Sequence, residues 1–243
     1  MNLLIDVGNT RLKWAMAEGQ KMQEGRALLH ARQGDIREVL LSHWRNLPRP
    51  ARAAVACVAA SDLLEQVLWV LRRLWPGLAI IQPRSQAHGH GVTNAYRQPE
   101  KLGIDRWLAL LAVRHHHGLP ACVVDCGTAI TLDILDVQGR HLGGMIAPGL
   151  TMMKQALVQG TETLQSFQDE FAVGLADATD AAIDNGALFA AVGLVEAVVA
   201  RQGQEMLLLF TGGDARRIAG NTNLASVIEP DLVLQGLTVI LQD

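Results

Sequence analysis

Two short stretches of this chain end an apolar run in a carboxylate and follow it with a glycine and a hydroxyl. The first is LLIDVGNTRL (3–12), with Asp6, Gly8 and Thr10; the second is VVDCGTAITL (123–132), with Asp125, Gly127 and Thr128. The two acids lie close to half the chain apart. Backbone N–H groups in a tight glycine turn can cradle phosphate oxygens, and the threonines add hydroxyl donors. An acid in such a turn repels phosphate unless a cation lies between them, so Asp6 and Asp125 suit a hydrated Mg2+ or another cation. Phosphoryl transfer needs both features, because it depends on positioning and charge neutralisation. A third stretch, MLLLFTGGDA (206–215), sets paired glycines after an apolar run, where backbone could approach a flat adenosine. Each stretch alone also has a plain structural explanation, as an Asp-Gly hairpin turn or a helix start capped by Asp214. Recurrence at half length favours the chemical one.

The elements that must position these residues follow from hydrophobic spacing. Residues 3–7 and 12–17 should be strands around the first turn, with further buried strands at 53–59 and 78–82. Helical spacing covers 36–47, 61–75 (Ser61 or Asp62 as N-cap) and 101–117. Between the last two helices, PRSQAHGHGVTNAYRQPE (83–100) has loop composition, and a loop of that length in a compact domain is usually functional. The pattern then restarts with a strand pair over 121–136, helices around 151–159 and 179–201, a strand within 206–215 and a last helix near 230–242. This predicts an α/β fold of two related halves, 1–117 and 118–243, each opening with an acidic hairpin that faces a shared cleft.

Bulk properties exclude several classes. Hydrophobic residues make up 49% of 243 and charged ones 19%, enough for a sizeable core and against disorder. Net charge is −3 and the four lysines (13, 21, 101, 154) are scattered, which argues against a nucleic-acid surface. No GxxxxGK[ST] occurs, so a P-loop is excluded. Cys57, Cys122 and Cys126 form neither an even framework nor a CxxC pair and read as reduced core thiols of a cytoplasmic protein. No basic leader precedes Asp6, so no signal peptide is expected. The longest apolar run, ALFAAVGLVEAVVA (187–200), is expected to be too short for a membrane span and carries Glu196.

Six segments, in order, resemble the type III pantothenate kinases, bacterial enzymes of coenzyme A biosynthesis in the actin/Hsp70/sugar-kinase superfamily. They are DVGNTRLKWA (6–15), YRQPEKLGIDRW (96–107), VDCGTAITLDI (124–134), GGMIAPGL (143–150), TDAAIDNGAL (179–188) and TGGDA (211–215). The resemblance implies two ribonuclease H-like halves of mixed sheet flanked by helices, with an interdomain cleft. It implies ATP-dependent phosphorylation of pantothenate to 4′-phosphopantothenate, the first step of that biosynthesis. Carried over by position, Asp6, Val7, Gly8, Asn9, Thr10, Arg11, Leu12 and Lys13 resemble the first ATP-phosphate loop, with Asp6 near Mg2+. Thr128 resembles an ATP contact and Asp125 the ligand of a monovalent cation, potassium or ammonium. Tyr96, Gly103, Ile104, Asp105 and Arg106 resemble the pantothenate-binding residues, with Asp105 the catalytic base. Thr179 matches a threonine that reaches pantothenate from the neighbouring subunit, so a homodimer is implied. Cys126 departs from the Phe that many members carry, and His88 and His90 stand in the substrate-side loop where no residue type is expected. Some relatives are described as Bvg accessory factors for virulence-gene expression.

The residues themselves permit these roles. Asp105 falls in the first turn of a predicted helix, where the macrodipole favours its ionised form and where it could accept a proton from a primary alcohol. Outside the family context it reads as a helix-start acid with Arg106 as surface partner. Arg106 suits a substrate carboxylate, which its planar fork binds bidentately. Consecutive histidines at 115–117 point in different directions, so a solvated helix end is expected there rather than a metal. His88 and His90 lack an evident third ligand, and the cysteines lack a base. The helix over 179–200, with Thr179 at its N-cap, is aliphatic over more than one packing face and suits a two-fold interface. Two other functions remain open: a kinase or phosphatase for another small molecule such as a sugar or polyphosphate, and a non-catalytic regulator that keeps the fold.

Overall fold

In the computed structural model, which describes residues 1–30, 34–159 and 171–242, the apolar runs resolve into two units. One holds Met1–His117 together with the chain from Asp231 onward; the other is Gly118–Pro230. In the first, β1 (Asn2–Val7) pairs antiparallel with β2 (Arg11–Glu18), and β3 (Lys21–Met22) and β4 (Arg26–Leu29) both pair with β2. After α1 (Arg37–Trp44), β5 (Arg52–Cys57) returns parallel to β1. Helix α2 (Ser61–Leu74) then leads to β6 (Ala79–Ile81), parallel to β5. Leu3, Leu4 and Ile5 are all fully buried, as expected for a central strand covered on both faces. Leu3, Ile5 and Val7 pack with Leu12, Trp14, Leu40, Trp44 and Val70 under α1 and α2.

The stretch read as a loop over 83–100 contains a small hairpin, β7 (His88–Gly89) and β8 (Val92–Thr93). Its turn places His90 and Gly91 at positive φ (48° and 75°), a two-residue geometry that periodicity does not signal. A single 3-10 turn, Pro99–Lys101, precedes α3 (Ile104–His116).

The second unit repeats the plan. Strands β9 (Ala121–Cys126), β10 (Ala129–Leu135) and β11 (His141–Pro148) form an antiparallel meander. Two helices follow, α4 (Leu150–Gln159) and α5 (Thr179–Ala200), then β12 (Leu207–Thr211) parallel to β9. Helix α6 (Ala215–Ala219) and β13 (Val227–Ile228), parallel to β12, complete it. The sheet orders are β3-β2-β1-β5-β6 and β11-β10-β9-β12-β13. Both run antiparallel through the first three strands and parallel through the last three, so the half-length repeat in sequence is also a repeat of topology.

Three expectations differ from the structure. The boundary at 118–243 does not hold at its far end, because α7 (Leu232–Ile240) packs on α3 in the first unit. Gly236 allows this: a Cβ there would collide with the Leu108 carbonyl. Asp231 accepts the Gly25 N–H at 3.2 Å, and Arg52 donates to the Leu241 carbonyl. Second, α5 is long and apolar enough to cross a membrane by length and composition, since it begins eight residues before the apolar run; yet Leu188, Ala191, Val195 and Val198 pack into the second core. Third, Ala178 rather than Thr179 is the N-cap of α5, and Ala60 rather than Ser61 or Asp62 caps α2. Ala178 and Ala60 have the extended ψ of a cap (143° and 150°), so the polar residues fall just inside the helices.

Candidate active site

The first turn begins where core packing ends. Val7 stands opposite Leu12, both side chains buried, and Asp6 stands opposite Lys13 as a cross-strand pair of opposite charge. Residues 8–11 close the hairpin through the Gly8 N–H on the Arg11 carbonyl at 3.0 Å. Asn9 and Arg11 are exposed, whereas Val7 and Leu12 offer a ligand only backbone. Behind the turn lies His30, 7% exposed and just past β4. Its backbone N–H donates to the Thr10 carbonyl (3.1 Å) and its Nε2 to the Gly8 carbonyl (2.9 Å). Burial and then the Asp6 charge push the Cys57 thiol, opposite Val7, above its usual range.

The Gly103–Arg106 stretch opens α3. Gly103 is the N-cap and its carbonyl accepts the Trp107 N–H at 3.0 Å. Asp105, half-buried in the first turn, folds back so that Oδ1 accepts the Arg106 N–H at 2.8 Å. A Cβ on Gly103 would stand 2.5 Å from that same oxygen, so the position must be glycine for Asp105 to keep this pose. Arg106, 6% exposed, donates from Nη1 to the Tyr96 hydroxyl at 2.8 Å, with its guanidinium carbon 5.7 Å from the centre of the Tyr96 ring. Asn94 sets Tyr96: its Oδ1 accepts the Tyr96 N–H at 3.0 Å while its Nδ2 donates to the Gln86 and Pro99 carbonyls. At the other end of α3, Arg114 and His115 donate to the Gly91 and His90 carbonyls (3.2 and 3.0 Å). His115 therefore anchors the β7–β8 turn, and among the described residues no group of three potential metal-binding side chains occurs.

In the second unit Asp125 faces Thr131 and Cys126 faces Ile130, so the turn is residues 127–129, one shorter than its counterpart. Two distant glycines press on it. Gly149 donates its N–H to the Thr128 carbonyl (2.9 Å), and a Cβ on it would collide with the Gly127 and Thr128 carbonyl oxygens. Gly212 has φ 92°, and a Cβ there would lie 2.5 Å from both Asp125 Oδ1 and the Cys126 carbonyl oxygen. The Asp214 N–H completes the contact by donating to the Cys126 carbonyl at 3.0 Å. Asp214 occupies the N-cap of α6 as expected, without a side-chain capping bond. Three of the sequence segments, around residues 125–128, 148–149 and 211–214, thus meet at one place.

The helices that leave these turns are tied together by charge. Asp184 of α5, 1% exposed, accepts Lys154 Nζ of α4 at 2.8 Å and both Nη atoms of Arg217 of α6. Burial pushes the Asp184 carboxyl up, but the hydrogen bonds from Arg217 and Lys154 outweigh it and hold it below the usual carboxylate range. Burial, the main cause, drives the Cys122 and Cys126 thiols well upward, so neither is a nucleophile. Thr179 is exposed at the start of α5, while Thr128 is exposed on the turn.

The structure therefore joins Tyr96 to Arg106, Gly103 to Asp105, Asp6 to Lys13, Asp125 to the TGGDA segment, and Thr128 to Gly149. Sequence reasoning missed Gly149 as the brace of the second turn, though the Pro-Gly after an apolar run signalled a turn there. It missed His30, which belongs to no local pattern, and it gave Asp184 no role although that residue lies within the TDAAIDNGAL segment.

A family model for type III pantothenate kinase matches residues 2–201. A type III pantothenate kinase of Nitrosococcus oceani is 40% identical over all of this chain and 94% of its own length. One of Dichelobacter nodosus is 36% identical over 98% of this chain and 96% of its own. Among solved structures, the activator of 2-hydroxyisocaproyl-CoA dehydratase from Clostridium difficile with bound ADPNP matches with a TM-score of 0.57 at 14% identity, covering 98% of this chain and 93% of that one. That likeness concerns the fold, which is of the actin/Hsp70/sugar-kinase type.

Proposed function

We infer that this chain, which belongs to the type III pantothenate kinase family and phosphorylates pantothenate with ATP in coenzyme A biosynthesis, uses Asp105 as its catalytic base. The observation that carries this reading is the turn opening α3. An acid in the first helical turn is favoured as the carboxylate, and this one sits beside an arginine whose fork a tyrosine orients. Arg106 then holds the pantothenate carboxylate, with Tyr96, Gly103 and Ile104 shaping the same pocket wall. The primary hydroxyl oxygen attacks the γ-phosphorus, its proton passes to Asp105, and the bond from that phosphorus to the ADP oxygen breaks. Because the transition state is loose, Asp105 chiefly orients the hydroxyl.

Residues 6–13 receive the ATP phosphates, through backbone N–H groups of the turn and the Thr10 and Lys13 side chains, and Thr128 adds a hydroxyl. A divalent metal accompanies ATP and neutralises phosphate charge. Asp6 fits it: one carboxylate at a turn, with phosphate and water completing the shell, is how Mg2+ is usually held. Asp125 suits a monovalent cation, potassium or ammonium, because its half-buried carboxylate and the nearby Cys126 carbonyl both lie against the bare Cα of Gly212, and carboxylate and carbonyl oxygens are the donors that hard cations take. Measuring ADP release with pantothenate against a panel of sugars tests the substrate; sugar turnover without pantothenate turnover would overturn the assignment.

The protein acts in the cytoplasm, a reading that its three unbridged cysteines support. It is a homodimer with Thr179 reaching the neighbouring subunit's pantothenate, which the exposed Ile146 and Phe189 (65% and 56%) favour as an apolar surface on the same unit. Mixing inactive Asp105→Asn with an inactive Thr179→Ala protein should restore activity, since one site of each heterodimer then carries neither lesion. Heterodimers that form without recovery would mean that each subunit builds its own pocket.

A further inference from the structure

The first turn has a support that the motif does not contain. His30 lies beyond β4, outside the six sequence segments that carry the resemblance, yet it binds two of the turn's carbonyls, those of Gly8 and Thr10. A carbonyl only accepts, so the 2.9 Å contact from Nε2 to Gly8 requires the proton on Nε2. The Gly8–Asn9 peptide is trans, so its C=O and N–H point in opposite directions. Drawing the Gly8 oxygen onto the imidazole therefore turns the Asn9 N–H to the face away from His30. The Gly8 N–H is already committed to the Arg11 carbonyl at 3.0 Å, so the Gly8–Asn9 peptide is the part of this turn whose orientation depends on a side chain.

The geometry points to His30 as a positioning residue for ATP: through the Gly8 carbonyl it aims the Asn9 N–H at the nucleotide phosphates. It touches neither substrate and takes no proton in the reaction. The buried side, at 7% exposure, keeps water from competing for the Gly8 oxygen. This rests on the reading of residues 6–13 as the ATP-phosphate loop, and the test separates the two.

Gln reaches about as far as Nε2 and its amide can donate to Gly8, whereas Asn ends near the position of Nδ1 and falls short. In the full-length enzyme, His30→Asn should raise KM for ATP about tenfold, the scale of one lost hydrogen bond. His30→Gln should stay within about threefold of the unaltered enzyme, and KM for pantothenate should change by less than about twofold in both. Equal KM for ATP in the two variants, or equal rises for both substrates, would overturn the assignment. In the unaltered protein, 15N imidazole spectra, with the His30 signal identified by its loss in His30→Gln, should show a proton on Nε2 whose resonance shifts when ADP is added. A proton on Nδ1 alone would overturn it, whatever the folding of the variants. Thr10→Ala and Lys13→Ala serve as loop controls. If they weaken ATP binding while the histidine variants do not, His30 fails and the loop stands; if neither set does, the loop reading itself fails.

Discussion

The two hairpin turns share a strand–Asp–x–Gly pattern and a place in their sheets, yet they are braced in different ways. The second, around Asp125, is three residues long and is pressed by the bare backbones of Gly149 and Gly212, which approach its carbonyls more closely than any side chain could. The first, around Asp6, is four residues long and is held from behind by the His30 side chain. Backbone packed on backbone leaves no room to adjust, whereas a side-chain brace can be replaced by another donor of equal reach. The same motif has thus produced one turn that tolerates no added methyl and one that tolerates some variation.

Stability measurements can break or sharpen that difference. The largest effect is expected for Gly149→Ala, where the new Cβ meets two carbonyl oxygens of the peptide backbone. Overpacking of this kind costs about 3 kcal/mol, readable as a lowered urea midpoint together with weakened ADP binding. A shift as small as that of an exposed Gly→Ala change would show that the second turn is not braced by close approach. Next comes Asp184→Asn, which leaves Lys154 and Arg217 facing a neutral amide. Removing one partner of a buried charge cluster costs about 2 kcal/mol near neutral pH when the cations keep partial access to water. The carboxyl is held below its unfolded value, so its contribution is present above about pH 4 and is lost as pH falls through the lower folded value. The gap between the two proteins should therefore narrow on acidification, and a gap that widened would contradict the sign. The smallest effect is expected for Gly8→Ala. Its Cβ would stand 3.0 Å from the Arg11 oxygen alone, a strain of about 1 kcal/mol that the first turn can absorb by small shifts. If Gly8→Ala proved as costly as Gly149→Ala, the contrast between the turns would fall.

What was legible in the sequence was local. Asp6 and Asp125 announce their turns because a continuous apolar run stops at each of them and glycine follows, and the recurrence of the pattern announced the repeated topology. The α3 turn was legible only through the order of motifs, since an Asp in a first helical turn has many ordinary explanations. What escaped was long-range. His30 reaches Gly8 because β4 pairs with the far side of β2, and α7 joins the first unit because Gly236 lies on the Leu108 carbonyl; neither contact leaves a periodic trace. The caps of α2 and α5 were misread because Ala60 and Ala178 carry the extended backbone while Ser61 and Thr179 offer the better-known side chains. The β7–β8 hairpin hid in loop composition because each of its strands has only two residues.

Turnover of Asp105→Asn tests the central claim most directly, because the amide keeps the size of the carboxylate and cannot take the hydroxyl proton. Loss of a general base costs about 10²–10⁴-fold in rate. The account predicts that kcat with pantothenate and ATP falls by at least the lower of those factors, while calorimetric titration with ADP gives a Kd within about threefold of the unaltered enzyme. A variant that keeps nearly full turnover with the same ADP affinity would contradict it, and would move the catalytic base away from the N-terminus of α3.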